Sequence, residues 1–183
     1  MMLTINQATH SHTPPKNIMA TYQIKTPIGP MTALADENSL YFLHFADDKD
    51  LEHKLMALMS KTNSSITSRK TGPICSIEDE LISYFDGRLT QFNTPICFIG
   101  TTFQKETWQA LSKIPYGTTQ SYTQLASCIG KPSAFRAVAQ ANSRNPLAII
   151  IPCHRVINAN GDLGGYNGGL SRKQWLLDHE KNK

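Results

Sequence analysis

Short runs rich in β-formers dominate the first part of the chain. Thr21–Lys25 (TYQIK) and Met31–Leu34 read as strands separated by the turn residues Pro27, Gly29 and Pro30. Leu40–Phe45 (LYFLHF) reads as a third strand after a turn at 36–38. The period then changes: over Asp50–Met59 the apolar residues Leu51, Leu55, Leu58 and Met59 recur at helical spacing. A second helix is predicted over Ser76–Phe85, with Ser76 and Asp79 as a capping box. Its apolar face would be Ile77, Leu81, Ile82 and Phe85, and Gly87 its stop. Gln91–Gly100 has little helical pattern and reads as a connector.

From Thr101 onward helices dominate. Thr101–Ile114 carries Phe103, Trp108, Leu111 and Ile114 as its apolar residues, with Thr101 and Gln104 as a capping box. Ser121–Cys128 is a short helix with a second box at Ser121 and Gln124. A turn at 130–132 leads into a helix over Ser133–Asn142. Helix, tight glycine turn, helix is the helix-turn-helix pattern, although many helical hairpins that never meet DNA share it. The apolar run Leu147–Ile151 then leads into Pro152-Cys153-His154-Arg155, a glycine-rich loop spans Gly161–Gly169, and a last helix covers Ser171–Glu180 with Ser171 and Gln174 capping.

Composition narrows the class. The 183 residues, 40% hydrophobic, suit one globular domain or two small ones. No stretch approaches the roughly 20 apolar residues of a membrane helix. Residues 1–18 are polar, with His10, His12 and Lys16 among prolines, and read as a floppy tail without the apolar core of a signal peptide. Cys75, Cys97, Cys128 and Cys153 form no CxxC pair, which argues against zinc; free thiols and a cytoplasmic setting are expected. The formal charge of +4 is compatible with a nucleic-acid partner without requiring one.

Only Cys153 has chemistry beside it. A thiol with a pKa of about 8.5 is a modest nucleophile at neutral pH unless a base or a positive charge favours the thiolate. His154 and Arg155 offer both, and a midpoint below that of a free thiol is expected. Adjacent residues need not face each other, so a water between His154 and Cys153 is expected. The bland alternative is a buried cysteine at a strand end.

The run Ile150-Ile151-Pro152-Cys153-His154-Arg155-Val156-Ile157 resembles the active-site signature of the O6-alkylguanine-DNA alkyltransferases. The resemblance extends through Pro115-Tyr116-Gly117, Ser121-Tyr122, Arg136-Ala137-Val138, Asn145-Pro146, Gly164, Tyr166, Gly168-Gly169-Leu170 and Trp175-Leu176-Leu177, covering about residues 98–180. The first half is similar more loosely, through Thr26-Pro27-Ile28-Gly29 and Leu40–Phe45.

The resemblance implies an α/β N-terminal ribonuclease-H-like domain over 19–94 and a mostly α C-terminal winged helix-turn-helix domain over 98–183. It implies single-use transfer of an alkyl group from guanine O6 to Cys153, with no cofactor and no metal. The implied partner is double-stranded DNA holding the alkylated base, met by a monomer away from membranes. Because O6 lies inside the duplex, the base must be flipped out. The implied roles are Arg136 filling the gap, Tyr122 pushing the nucleotide and donating a proton toward guanine N3, and Ser133 and Ala134 contacting DNA. Asn145 would brace the active-site turn, and Glu180 would orient His154. Val156, Tyr166 and Asn167 would line the substrate pocket, with the carbonyls of Cys153 and Val156 on the exocyclic amine and the N–H of Asn167 on O6. Two departures stand out: Asn167 where relatives often carry a smaller or different polar residue, and Ala139 where glycine is common. Rival readings are a Cys-His hydrolase, which needs an orienting group and an oxyanion hole, and a helix-turn-helix regulator, which would not need Cys153.

Overall fold

A computed structural model describes residues 17–181. The expected tail over 1–18 therefore lies mostly outside the described residues. Positions 17 and 18 do not belong to a tail, since they open strand β1 (Asn17–Ile24). β2 (Met31–Ala35) and β3 (Leu40–Phe45) follow as antiparallel neighbours, with Ala33 opposite Leu43. A fourth strand, β4 (Ser64–Ser68), pairs parallel to β1 and gives the order β3-β2-β1-β4. The sequence SSITS has one apolar residue in five, so the hydrophobic pattern does not announce this strand. It forms because helix α1 (Leu51–Thr62), ended by Asn63 in the left-handed conformation, returns the chain along the edge of β1.

Helix α2 (Gly72–Phe85) starts earlier than its sequence signals suggest, at Thr71 with Pro73 in the first turn. Ser76 and Asp79 are interior residues, and no capping box forms there. The early start sets the buried stripe at Ile74, Ile77, Leu81 and Tyr84. Ile82, expected on the apolar face, points outward at 51% exposure.

The second half holds α3 (Thr102–Leu111), α4 (Tyr122–Cys128), α5 (Phe135–Ser143) and α6 (Leu170–Lys181), joined by two-residue strands β5 (Gln120–Ser121) and β6 (Val156–Ile157). Two of the three capping boxes predicted in this half, Thr101–Gln104 and Ser121–Gln124, are present. The third, at Ser171, is not an N-cap, because α6 begins one residue earlier. Ser133 and Ala134 fall in a 3-10 turn (Pro132–Ala134) ahead of α5, since a proline at the first position favours a tight start.

The halves share one core in which Leu43, Phe45 and Tyr84 cluster with Leu147, Ile151, Cys153 and Leu176. Backbone bonds join them too. The outer edge of β3 is paired with the connector through Leu40 N to Pro95 O (2.8 Å) and Cys97 N to Leu40 O (2.9 Å). It is also paired with the Asn-Pro turn through Leu43 N to Pro146 O (2.9 Å) and Ala148 N to Leu43 O (2.9 Å). An open sheet edge is thereby covered, and the segment leading to Cys153 is fixed against the N-terminal sheet.

Candidate active site

The apolar run Leu147–Ile151 is a tight turn, with Ile149 at φ 73° and fully buried. A β-branched residue in the left-handed region is strained by roughly 1–3 kcal/mol. The surrounding pairings with β3 hold it there. The turn delivers Pro152 and then a 3-10 turn over Cys153–Arg155, all three residues of which are buried. The parallel register Gln120↔Val156 and Ser121↔Ile157 brings Tyr122, the first residue of α4, beside this turn.

Cys153 is a free thiol, 6% exposed; Cys75 and Cys128 are exposed and Cys97 is half-buried. The Asn145 amide donates to Cys153 Sγ at 3.1 Å and to the Ile151 carbonyl at 2.8 Å, while its own oxygen accepts from Leu147 N at 3.0 Å. Asn145 therefore both braces the turn and touches the sulfur. Its carbonyl accepts in turn from His44 Nε2 on β3 at 2.7 Å, and the other ring nitrogen of His44 meets Asp48 at 3.1 Å. Sequence reasoning treated the N-terminal half as scaffold and missed His44, because nothing local distinguishes a strand histidine whose partner lies 101 positions away.

Behind the turn, Glu180 is 2% exposed and both of its oxygens are occupied. Oε1 accepts from Tyr84 OH (2.7 Å), His154 Nε2 (2.9 Å) and Arg155 Nη2 (3.0 Å); Oε2 accepts from Arg155 Nε (2.7 Å) and Gly117 N (3.2 Å). Gly117 must be glycine: its φ is 72°, and a Cβ would lie 2.8 Å from the Glu180 carbonyl. Burial acts to raise the Glu180 pKa, but the bonds from His154 and Arg155 outweigh it and hold the carboxyl well below its ordinary range. A carboxylate only accepts, so His154 carries its proton on Nε2 and keeps a lone pair on Nδ1, a buried atom with no partner. Burial pushes the His154 pKa down, against the pull of Glu180.

The Cys153 thiol departs from the sequence expectation. Burial pushes its pKa up, outweighing the Asn145 amide, the Lys173 charge and nearby backbone N–H groups, all of which favour the thiolate. In this closed site desolvation is the larger effect, so proximity to His154 and Arg155 does not by itself yield a standing thiolate.

Lys173 is fully buried on α6, with its ammonium on the carbonyls of Val156 (2.6 Å), Leu163 and Gly165 (3.4 Å). It ties the glycine-rich loop to β6, and burial lowers its pKa to about 8. A signal for it existed: Lys173, Leu176, Leu177 and Glu180 form one buried stripe at helical spacing, so a lysine sits where an apolar residue is expected. Val156 is buried, and its carbonyl already takes the Lys173 bond.

The Cys153 cavity measures about 20 Å³, room for one water. Tyr166, Asn142, Asn145 and Asn167 help line it. The Tyr166 hydroxyl and Asn142 Oδ1 are buried without partners. Outside it lies a mouth of about 400 Å³ bordered by Tyr122, Phe135, Arg136, Ala139, Asn142 and Asn167. Asn167 Nδ2 donates to the Ser143 carbonyl and clasps the glycine-rich loop to the end of α5 between the two spaces. Arg136 is exposed, its guanidinium 5.5 Å from the Phe135 ring. Phe135, 41% exposed, escaped the sequence reading. Tyr122 is half-buried, and burial, with Cys153 as a second cause, raises its pKa. Ser133 is exposed and Ala134 half-buried on the turn before α5. Among the described residues no group of His, Cys, Asp and Glu could hold a metal ion, and no helix is long and apolar enough to cross a membrane.

Residues 18–98 match the model of the 6-O-methylguanine DNA methyltransferase ribonuclease-like domain, and 102–182 match that of the DNA binding domain of the same enzymes. The methylated-DNA–protein-cysteine methyltransferase of Mycobacterium tuberculosis H37Rv is 41% identical over 160 residues, covering 87% of this chain and 91% of its own. The protein of that name from Methanosarcina barkeri is 42% identical over 160 residues, covering 87% and 95%. The crystal structure of Mycobacterium tuberculosis OGT in complex with DNA superposes with a TM-score of 0.75 at 41% identity, over 90% of this chain and 92% of that one. The methyltransferase of Pyrococcus kodakaraensis, 21% identical, shares the fold with a TM-score of 0.66 over 88% of this chain and 98% of that one.

Proposed function

The chain belongs to the 6-O-methylguanine DNA methyltransferase family, a ribonuclease-like domain followed by a DNA-binding domain, and on that premise we propose that Cys153 is its alkyl acceptor. The protein repairs DNA by moving the alkyl group of O6-alkylguanine onto one of its own cysteines, once per molecule. The observation that carries the assignment to Cys153 is the sulfur itself: it lies in a cavity with the Asn145 amide on it, next to a histidine whose far nitrogen is fixed by a buried carboxylate.

The thiol proton passes to His154 Nδ1, directly or through a bridging water, and Glu180 stabilises the imidazolium. The Asn145 amide steadies the growing negative charge on sulfur. Sγ attacks the alkyl carbon in line; the S–C bond forms, the C–O6 bond breaks, and its electron pair moves into the guanine ring. Tyr122 donates toward guanine N3, and in sum the proton lost by the thiol replaces the alkyl group on the base. The thioether has no easy route back, which makes the reaction single-use.

An alkylated guanine cannot enter a 20 Å³ cavity, so the cavity must open toward the mouth. Releasing the Asn167–Ser143 clasp would do this. Arg136, on the rim beside Phe135, fills the space the flipped base leaves, since a planar guanidinium can stack and hydrogen-bond the orphaned partner. Ser133 and Ala134 contact the DNA backbone. Val156, Tyr166 and the Asn167 N–H receive the base, with α4 and α5 as the helix pair of a winged helix-turn-helix. The working domains are the ribonuclease-like half from β1 through the connector and the DNA-binding half from α3 to α6, in a cytoplasmic monomer.

Intact mass after mixing with a duplex holding one O6-methylguanine should rise by one methyl group, with the adduct mapping to Cys153. Modification of Cys75, Cys97 or Cys128 in its place would overturn the assignment.

A further inference from the structure

A second cleft, of about 360 Å³, lies between α1 and the C-terminal end of α5, where the two halves of the chain meet. Its floor is apolar, from Phe42, Ile99 and Trp108. Its rim is cationic. Lys54 is neutralised by Asp48. Lys61, Arg144 and His53 have no hydrogen-bond, ion-pair or ring partner among the described residues. One carboxylate, Asp50, stands on the same rim and does not cancel the excess. Unpaired side-chain cations gathered along a cleft favour an anionic ligand.

The cleft is continuous with the reaction site. Ser143 and Asn167 border it, the Cys153 cavity and the outer mouth alike, and His44 and Asn145 border both the cleft and the cavity. Arg136 on the mouth and Arg144 on the cleft are eight positions apart at opposite ends of α5. At about 1.5 Å per helical residue that is roughly 12 Å. Phosphates of one strand rise about 3.4 Å per nucleotide along the duplex axis, so a separation of this size along the axis corresponds to three or four steps.

We propose that this cleft is a second DNA contact, in which Lys61 and Arg144, with His53 beside them, hold backbone phosphates flanking the alkylated nucleotide. The inference rests on the repair reading above. It gives the ribonuclease-like half a direct part in DNA binding through α1, besides its bracing of Asn145.

The test is duplex affinity against salt for the wild type, Lys61→Gln, Arg144→Gln and the double variant. Single-turnover repair of an O6-methylguanine duplex and reaction with the free base O6-benzylguanine are followed in parallel. Each lost phosphate contact should lower the slope of log affinity against log salt by about 0.9, so the double variant should lose about 1.8. Asp50→Asn should shift affinity the other way. Reaction with the free base should stay at the wild-type rate, because it needs no phosphate grip. Unchanged slopes in a wild type and variants that all repair DNA would overturn the contact, leaving these residues as charges that complement helix C-termini. A wild type that takes up no methyl group would overturn the repair reading and this contact with it.

Discussion

The two sides of the His154 ring are built differently. On the Nε2 side, Glu180 is saturated: each oxygen accepts from side chains or backbone drawn from α2, the Gly117 turn and the Cys153–Arg155 turn. On the other side, His154 Nδ1 is buried without a partner, and so are Asn142 Oδ1 and the Tyr166 hydroxyl, whose residues line the Cys153 cavity. Buried polar groups in folded proteins are almost always paired, and each exception asks for a reason. Here half of the exceptions among the described residues belong to the site, while the Tyr116 hydroxyl near Arg155 and the Thr32 and Thr71 hydroxyls are also unpartnered; every oxygen of Glu180 is satisfied. Saturation fixes a ring and its tautomer; an unmet lone pair is a place for a proton to go.

The comparison can be broken from either side. Removing the unmet lone pair should cost most: His154→Ala should slow single-turnover repair by about 10²–10⁴-fold, the usual contribution of a positioned base, with circular dichroism unchanged. A neutral-pH rate close to wild type would mean that Cys153 needs no base, and that Lys173 and the Asn145 amide activate it.

Breaking the saturated side should act first on the fold. Glu180→Ala leaves Arg155 buried without its carboxylate, and chemical denaturation should report a loss of roughly 3–5 kcal/mol. The pH dependence follows from the same groups. Glu180 is held below its unfolded value, so its stabilisation is complete above about pH 4.3 and lost as pH falls further. His154 is also depressed, so the unfolded chain takes up its proton first, and stability should begin to fall below about pH 6.5. Wild type should therefore weaken in two stages on acidification, and in Glu180→Gln the lower one should shrink without vanishing, because Asp36, Asp47 and Asp48 are also held below the ordinary carboxylate range. A single transition shared by both proteins would separate the carboxylate from stability.

The smallest effect is expected at the boundary between cavity and mouth. Asn167→Ser removes the clasp to Ser143 and should speed reaction with the bulky O6-benzylguanine more than with a methylated duplex. Equal rates for the two proteins on both substrates would show that the clasp does not limit entry.

Much of this arrangement was readable from local sequence. The capping boxes at Thr101 and Ser121 are contained within four residues, and both formed where the pattern put them. Cys153, His154, Glu180 and Asn145 were singled out through the likeness of a long ordered set of motifs, and the structure brings them together. The failures have a common cause. β4 is polar and exists because it has a strand to pair with; the start of α2 depends on which face meets the sheet. His44, Tyr84 and Lys173 act through partners distant in sequence or through burial, and a residue's own neighbours carry no record of either.

By itself the sequence determined the elements whose signals are short-range, the candidate nucleophile and its neighbouring histidine, and the family. Only the tertiary structure decided which atoms around Cys153 are paired and which are left open. It also decided that the β3 edge grips the active-site turn, that Ile149 is forced into a left-handed conformation, and that burial raises the thiol pKa. The physical reason is that hydrogen-bond satisfaction and desolvation are properties of an enclosed space. A chain has no enclosed space until residues far apart in sequence close around it.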